Sequence, residues 1–232
     1  RVQAEDGKRD KRGGLVGSEM CIRDRPRPWR QCYWRRAGVV NTQTHLLLAS
    51  ALLTKRGQKA RNVAIVVGAF LPDIPVFALF GIASAMGYTS QDVFGDFYFR
   101  EEMRNLMGAV NSFFVAALIA ATGWLCREKW WGWPMIFFAA AMTVHAATDL
   151  PVHVDDGHRH FWPFSSFVFN SPLSYWDQSH HGGVISVVGA VLGIVCAIVL
   201  WRRFPVTWIR VLFASAITAY IAVPAYWIWM FG

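Results

Sequence analysis

Four stretches of this chain, Asn105 to Cys126, Trp130 to Thr148, Gly182 to Trp201 and Val211 to Gly232, each approach the roughly 20 residues of a bilayer-spanning helix and contain no Asp, Glu, Lys or Arg. Lipid offers backbone N–H and C=O groups no partner, so a segment of this kind must satisfy its own hydrogen bonds as a helix. A fifth segment, Asn62 to Gln91, is long enough but contains Leu71-Pro72-Asp73-Ile74-Pro75. Two prolines there remove backbone donors, and a carboxylate at membrane depth is costly without a partner, so an interruption is expected. The first apolar run, Thr44 to Thr54, covers about half a bilayer and reads as a half-helix or re-entrant segment. The expected fold is all-α: a polytopic transmembrane helix bundle of about five spanning helices with a short N-terminal half-helix. A hydrophobic fraction of 54% against 16% charged residues excludes an ordinary soluble domain or a disordered chain.

The net charge of +8 suggests a polyanionic partner, but residues 1–39 hold 11 of the 23 basic and 5 of the 15 acidic residues. The remaining chain is close to neutral, so a nucleic-acid surface loses its support. Within residues 1–39, Gly14-Leu15-Val16-Gly17-Ser18-Glu19-Met20-Cys21-Ile22-Arg23-Asp24-Arg25 resembles a translated sequencing adapter. The expectation is a non-native or disordered leader over 1–39 and a single integral membrane domain over 40–232. Cys21 and Cys32 fall in that leader, while Cys126 and Cys196 stand singly in apolar runs, so no thiolate metal pattern or disulfide set is available.

Basic residues cluster in alternate loops: Lys55, Arg56, Lys59 and Arg61; Arg127 and Lys129; Arg202, Arg203 and Arg210. The positive-inside rule assigns these loops to the cytoplasm and places roughly Tyr88 to Arg104 and Leu150 to His181 on the opposite side. Gly189 and Gly193 form a GxxxG spacing that permits close helix packing.

Six of the seven histidines, His145, His153, His158, His160, His180 and His181, lie between residues 145 and 181, together with Asp149, Asp155, Asp156 and Asp177. Imidazole with carboxylate is the ligand set of zinc and related divalent ions. His145 and Asp149 stand four apart near a helix end and share one face. Pro151 stops that helix, and Gly157 allows His153 to His160 to curl back over it. His45 and Asp73 lie about 14 and 16 Å from the Thr54–Asn62 turn at helical rise, so the N-terminal hairpin returns them to one level. Four groups from three segments thus converge on one end of the bundle. Asp177, His180 and His181 are weaker candidates, beside the start of a helix.

Thr44-His45-Leu46-Leu47-Leu48-Ala49, Gly68-Ala69-Phe70-Leu71-Pro72-Asp73-Ile74, His145 with Asp149, and His160-Phe161-Trp162-Pro163 resemble, in that order, the membrane-bound metal-dependent hydrolases of the inner-membrane LexA-regulated type. The order is also similar to that of zinc-dependent phospholipase C relatives. The resemblance covers about residues 41–200. It implies that His45, Asp73, His145 and Asp149 are metal ligands, with hydrolysis of a phosphoester or lipid-linked substrate as the reaction. One departure stands out: the family carries a further His-Ser motif between the PD and HxxxD motifs, and Asn111-Ser112 occupies that place here.

The resulting expectation is a zinc-dependent hydrolase of the bacterial inner membrane, with its site on the periplasmic side. Its partners are membrane lipid and a small-molecule or lipid-linked substrate, and nucleic acid is excluded. His153, His158 and His160 are additional ligand candidates. Asp155 or Asp156 would serve as general base or orienter, and Arg159 would contact an anionic substrate group. The alternatives are non-enzymatic: a metal- or proton-linked transporter component, or a scaffold with a structural metal.

Overall fold

Apolar runs flanked by caps and basic turns fold here as helices, and no strand occurs among the described residues, 41–231 of the computed structural model. Residues 1–40 and 232, and with them the expected leader, lie outside the described residues.

Helix α1 (Asn41–Leu53) is 13 residues, about 20 Å at helical rise, and so is shorter than the hydrocarbon core of a bilayer. After a short turn the chain returns as α2 (Lys59–Phe70). The last carbonyls of α1, which have no partner within the helix, are taken by guanidinium groups. Arg61 Nε donates to Leu53 O (3.0 Å) and Arg203 Nη1 to Thr54 O (3.0 Å). The first and third basic loops therefore meet at one end of the bundle.

The prolines expected to interrupt the second segment only tighten it. α2 passes through a 3-10 turn, Leu71–Asp73, into α3 (Ile74–Ala85), and Pro72 and Pro75 sit at the starts of those elements, where a missing N–H costs little. Lys59–Ala85 is one apolar span of 27 residues. Helix α4 (Ser90–Gly95) opens with a capping box between Thr89 and Asp92, and a 3-10 turn, Phe97–Phe99, follows.

The expected span Asn105 to Cys126 is instead a bent pair, α5 (Glu101–Val110) and α6 (Phe113–Leu125), meeting at 41°. Ser112 ends one helix and begins the next: its hydroxyl oxygen accepts from Phe114 N and Val115 N and donates to Trp162 O. Helix α7 (Gly132–Asp149) runs on through a 3-10 turn, Leu150–Val152. An irregular loop leads to a turn at Gln178–His180, then to α8 (Gly182–Arg203) and α9 (Thr207–Phe231). Among the described residues, three helices are long and apolar enough to cross a membrane: Lys59–Ala85, Gly132–Val152 and Gly182–Arg203. The bent pair would make a fourth, and Thr207–Ala222 of α9 is a shorter apolar helix.

Helix α7 lies at the centre, packed against α1, α2 and α6. The contacts use small residues: Ala49, Ile65, Ala69 and Ala141 form one buried cluster, and a Cβ on Gly68 would strike the backbone of Phe138. On the other side, Gly193 of α8 lies against the ring of Tyr220 in α9, while Gly189 faces Thr44. Large aliphatic side chains point outward, among them Val63, Leu118 and Val187. Small residues inside and large apolar ones outside is the pattern of helices that pack by close approach in lipid.

Candidate metal centre

The hairpin α1–α2 and the end of α7 bring His45, Asp73, His145 and Asp149 together. His45 Nε2 lies 2.9 Å from Asp149 Oδ1, and His145 Nε2 lies 3.1 Å from Asp149 Oδ2 and 3.6 Å from Asp73 Oδ1. His45, His145 and Asp149 are buried, and their ligand atoms lie within 4.8 Å of one another.

Which nitrogen of each histidine faces the carboxylates follows from the hydrogen bonds behind the rings. His145 Nδ1 lies 2.7 Å from Ala69 O, a carbonyl that can only accept, so Nδ1 carries the proton. His45 Nδ1 lies 2.7 Å from Thr148 Oγ1, whose own hydroxyl donates to backbone carbonyls of Val144 and His145, so this nitrogen also donates. Both rings thus turn Nε2 toward carboxylate oxygens. Lone pairs facing anions in a buried site repel unless a proton or a cation lies between them.

The geometry fits a divalent cation. Ligand atoms on a tetrahedral zinc stand about 3.3 Å apart, close to the separations here. His45 Nε2 has no hydrogen-bond partner despite its nearness to Asp149, and Asp73 Oδ2 is a buried oxygen without one among the described residues. A rear N–H held by a carbonyl or hydroxyl is the usual support of a metal-bound histidine.

A second group shares Asp149. His153 Nε2 lies 3.5 Å from Asp149 Oδ1 and His158 Nε2 lies 3.8 Å from Asp149 Oδ2, which brings the loop after α7 back over the helix end. Asp156 holds that loop: its Oδ1 is 3.1 Å from His153 Nδ1, Oδ2 accepts from Trp176 Nε1 at 3.0 Å, and its carbonyl accepts from Tyr98. Burial pushes His158 down to about 3, so its ring is neutral near pH 7. Burial works against a charge on His153 as well, but Asp156 and Asp149 outweigh it and hold this histidine well above its ordinary value.

His160 joins neither group. Its Nδ1 donates to Asn111 O (3.1 Å), and its own carbonyl accepts from Phe113 N (3.0 Å). These bonds occupy the backbone groups freed at the α5–α6 bend. Asn111 itself is fully buried, with Nδ2 on Met107 O and Oδ1 without a partner among the described residues. Arg159 is held by Glu101 (2.6 and 2.9 Å) and Asn105 (2.7 Å). Asp155 is exposed and, with Asp156, His158 and Arg159, lines a cavity beside the second group. Asp177, His180 and His181 stay apart: Asp177 caps the 3-10 turn through Ser179 and binds His180 Nδ1 at 2.7 Å, and His181 starts α8 in a left-handed conformation. Thr148, Ala69 O, Tyr98 and Trp176 position the cluster but carry no sequence signal, because none is a ligand type in a recognisable spacing.

No family model, curated protein or solved structure matches this chain.

Proposed function

We propose that this chain is a zinc-type metal-dependent hydrolase of the bacterial inner membrane that acts on a phosphoester or lipid-linked substrate, with its His/Asp site on the periplasmic side of about five membrane spans. The observation that carries the reading is the convergence of the Nε2 atoms of His45 and His145 on the buried carboxylate of Asp149. The order of the motifs, similar to that of membrane-bound metal-dependent hydrolases, supports hydrolysis as the reaction class.

His45, His145 and Asp149 would hold the ion, with Asp73 beside them and His153 and His158 sharing Asp149. A divalent ion there supplies Lewis acidity, polarising a phosphoryl oxygen and making water acidic near neutral pH. Asp156 fixes His153 and is occupied by Trp176, so it orients rather than takes protons. Asp155, exposed at the cavity, is the residue placed to accept a proton from attacking water. Arg159 clamps the loop to α5 through Glu101.

Detergent-purified protein with zinc is expected to release phosphate from a phospholipid monoester. His145→Ala with Asp149→Ala should abolish turnover, and Asp155→Asn should lower kcat about 10²-fold. Full turnover in the double variant would overturn the reading. The non-enzymatic alternative, a structural metal pin, draws on the depth of the first group, with His145 wholly buried. It is distinguished by stoichiometric zinc with no hydrolysis of any phosphoester.

A further inference from the structure

The cavity beside the second ligand group is lined by Tyr98, Arg104, Asp155, Asp156, His158 and Arg159, among others. Its two arginines differ sharply. Arg159 is neutralised by Glu101 and further bound by Asn105. Arg104, one turn beyond Glu101 on α5, is half-buried and within electrostatic reach of Glu101 and Tyr98, but no hydrogen bond or close ion pair joins its guanidinium to the described residues. A guanidinium withdrawn from part of its water with no hydrogen-bonded anion leaves its donors unmatched, and its fork of donors suits a phosphoryl group. Asp156, in the same wall, has its carboxylate oxygens on His153 and Trp176.

We infer that Arg104 holds the phosphoryl anion of the substrate in this cavity, against the wall that His158 shares with the metal ligands. The anion contact expected for Arg159 thereby passes to Arg104. The inference rests on the metal-dependent phosphoester reading and names the subsite that reading requires. Asp155 and Asp156 in the same wall disfavour an anion unless a divalent cation lies beyond them, so phosphate binding should strengthen when zinc is present.

The test is the affinity of the detergent-purified chain for inorganic phosphate, and in a separate arm for phosphatidic acid in phosphatidylcholine micelles. Zinc content is measured on the same samples. Arg104→Gln should weaken binding about 10- to 100-fold at unchanged zinc content, with Arg104→Lys intermediate. Arg100→Gln, which removes an exposed cation paired with Asp96, should leave binding unaltered. Binding in the micelle arm alone would identify the anion as a lipid headgroup, and binding in both arms a phosphoryl group irrespective of source. Zinc bound with phosphate affinity equal in wild type and Arg104→Gln, or equal losses in Arg100→Gln, overturns the subsite alone. Absent zinc with Arg104-dependent binding overturns the metal reading and leaves the subsite standing. Absence of both zinc and phosphate binding overturns both.

Discussion

Thr148 Oγ1 and His45 Nδ1, 2.7 Å apart between α7 and α1, determine which face of the His45 ring meets Asp149. The threonine hydroxyl is already committed to carbonyls of its own helix, so it can only accept from the ring. His45 is thereby oriented with Nε2 directed at the carboxylate cluster. Thr148→Val removes the acceptor at nearly constant volume and should lower zinc affinity about 10- to 100-fold, whereas Thr148→Ser should retain it. Titration against a competing chelator reads the difference, and an unchanged affinity in the valine variant would show that the ring needs no such support.

Helix packing makes a separate prediction. A side chain on Gly193 meets the Tyr220 ring, so Gly193→Leu should cost at least about 1–3 kcal/mol and lower Tm in detergent. Four residues earlier, a Cβ at Gly189 finds Thr44 Oγ1 at an ordinary 4.0 Å. Gly189→Ala should therefore leave Tm unchanged or raise it, as alanine is the better helix former by roughly 0.5–1 kcal/mol. Equal losses in both variants would mean that the two glycines do not differ as described.

Much of the His/Asp cluster was legible in the sequence, because helical spacing alone sets His145 and Asp149 on one face and the length of the hairpin returns His45 and Asp73 to a common level. The tautomers were not, since they depend on Ala69 O and Thr148 Oγ1, groups that no ligand pattern marks. Nor was the bend between α5 and α6: Asn105 to Cys126 holds no charge and no proline, and the break at Asn111-Ser112 persists because His160 and Trp162, some fifty residues away, take up the polar groups of Asn111, Ser112 and Phe113. The prolines were legible in part, since the α-helix does give way to a 3-10 turn at Leu71–Asp73. Pro72 and Pro75 fall at the first turns of their elements, where a missing donor does not matter, and so the span continues.

Asp177 offers a pH test away from the cluster. Burial raises its carboxyl, but bonds from Ser179 and His180 outweigh that and hold it below the ordinary 3.8. A folded value below the unfolded one gives stability that is complete above the unfolded value and is lost as pH falls through the folded value. Asp177→Ala should cost about 1 kcal/mol, the worth of a capping side chain, at neutral pH. The Tm gap between wild type and variant should hold at pH values above the ordinary carboxyl value and close as pH falls through the lower folded value. A gap that widens on acidification would contradict the assignment.

The most direct measurement is the metal content of the detergent-purified chain, prepared without chelators and loaded with zinc, beside its His145→Ala, Asp149→Ala double variant. The account predicts at least one equivalent of tightly held zinc in the wild type and none in the variant. A wild-type protein that retains no divalent metal, or a variant that retains as much as the wild type, would contradict it.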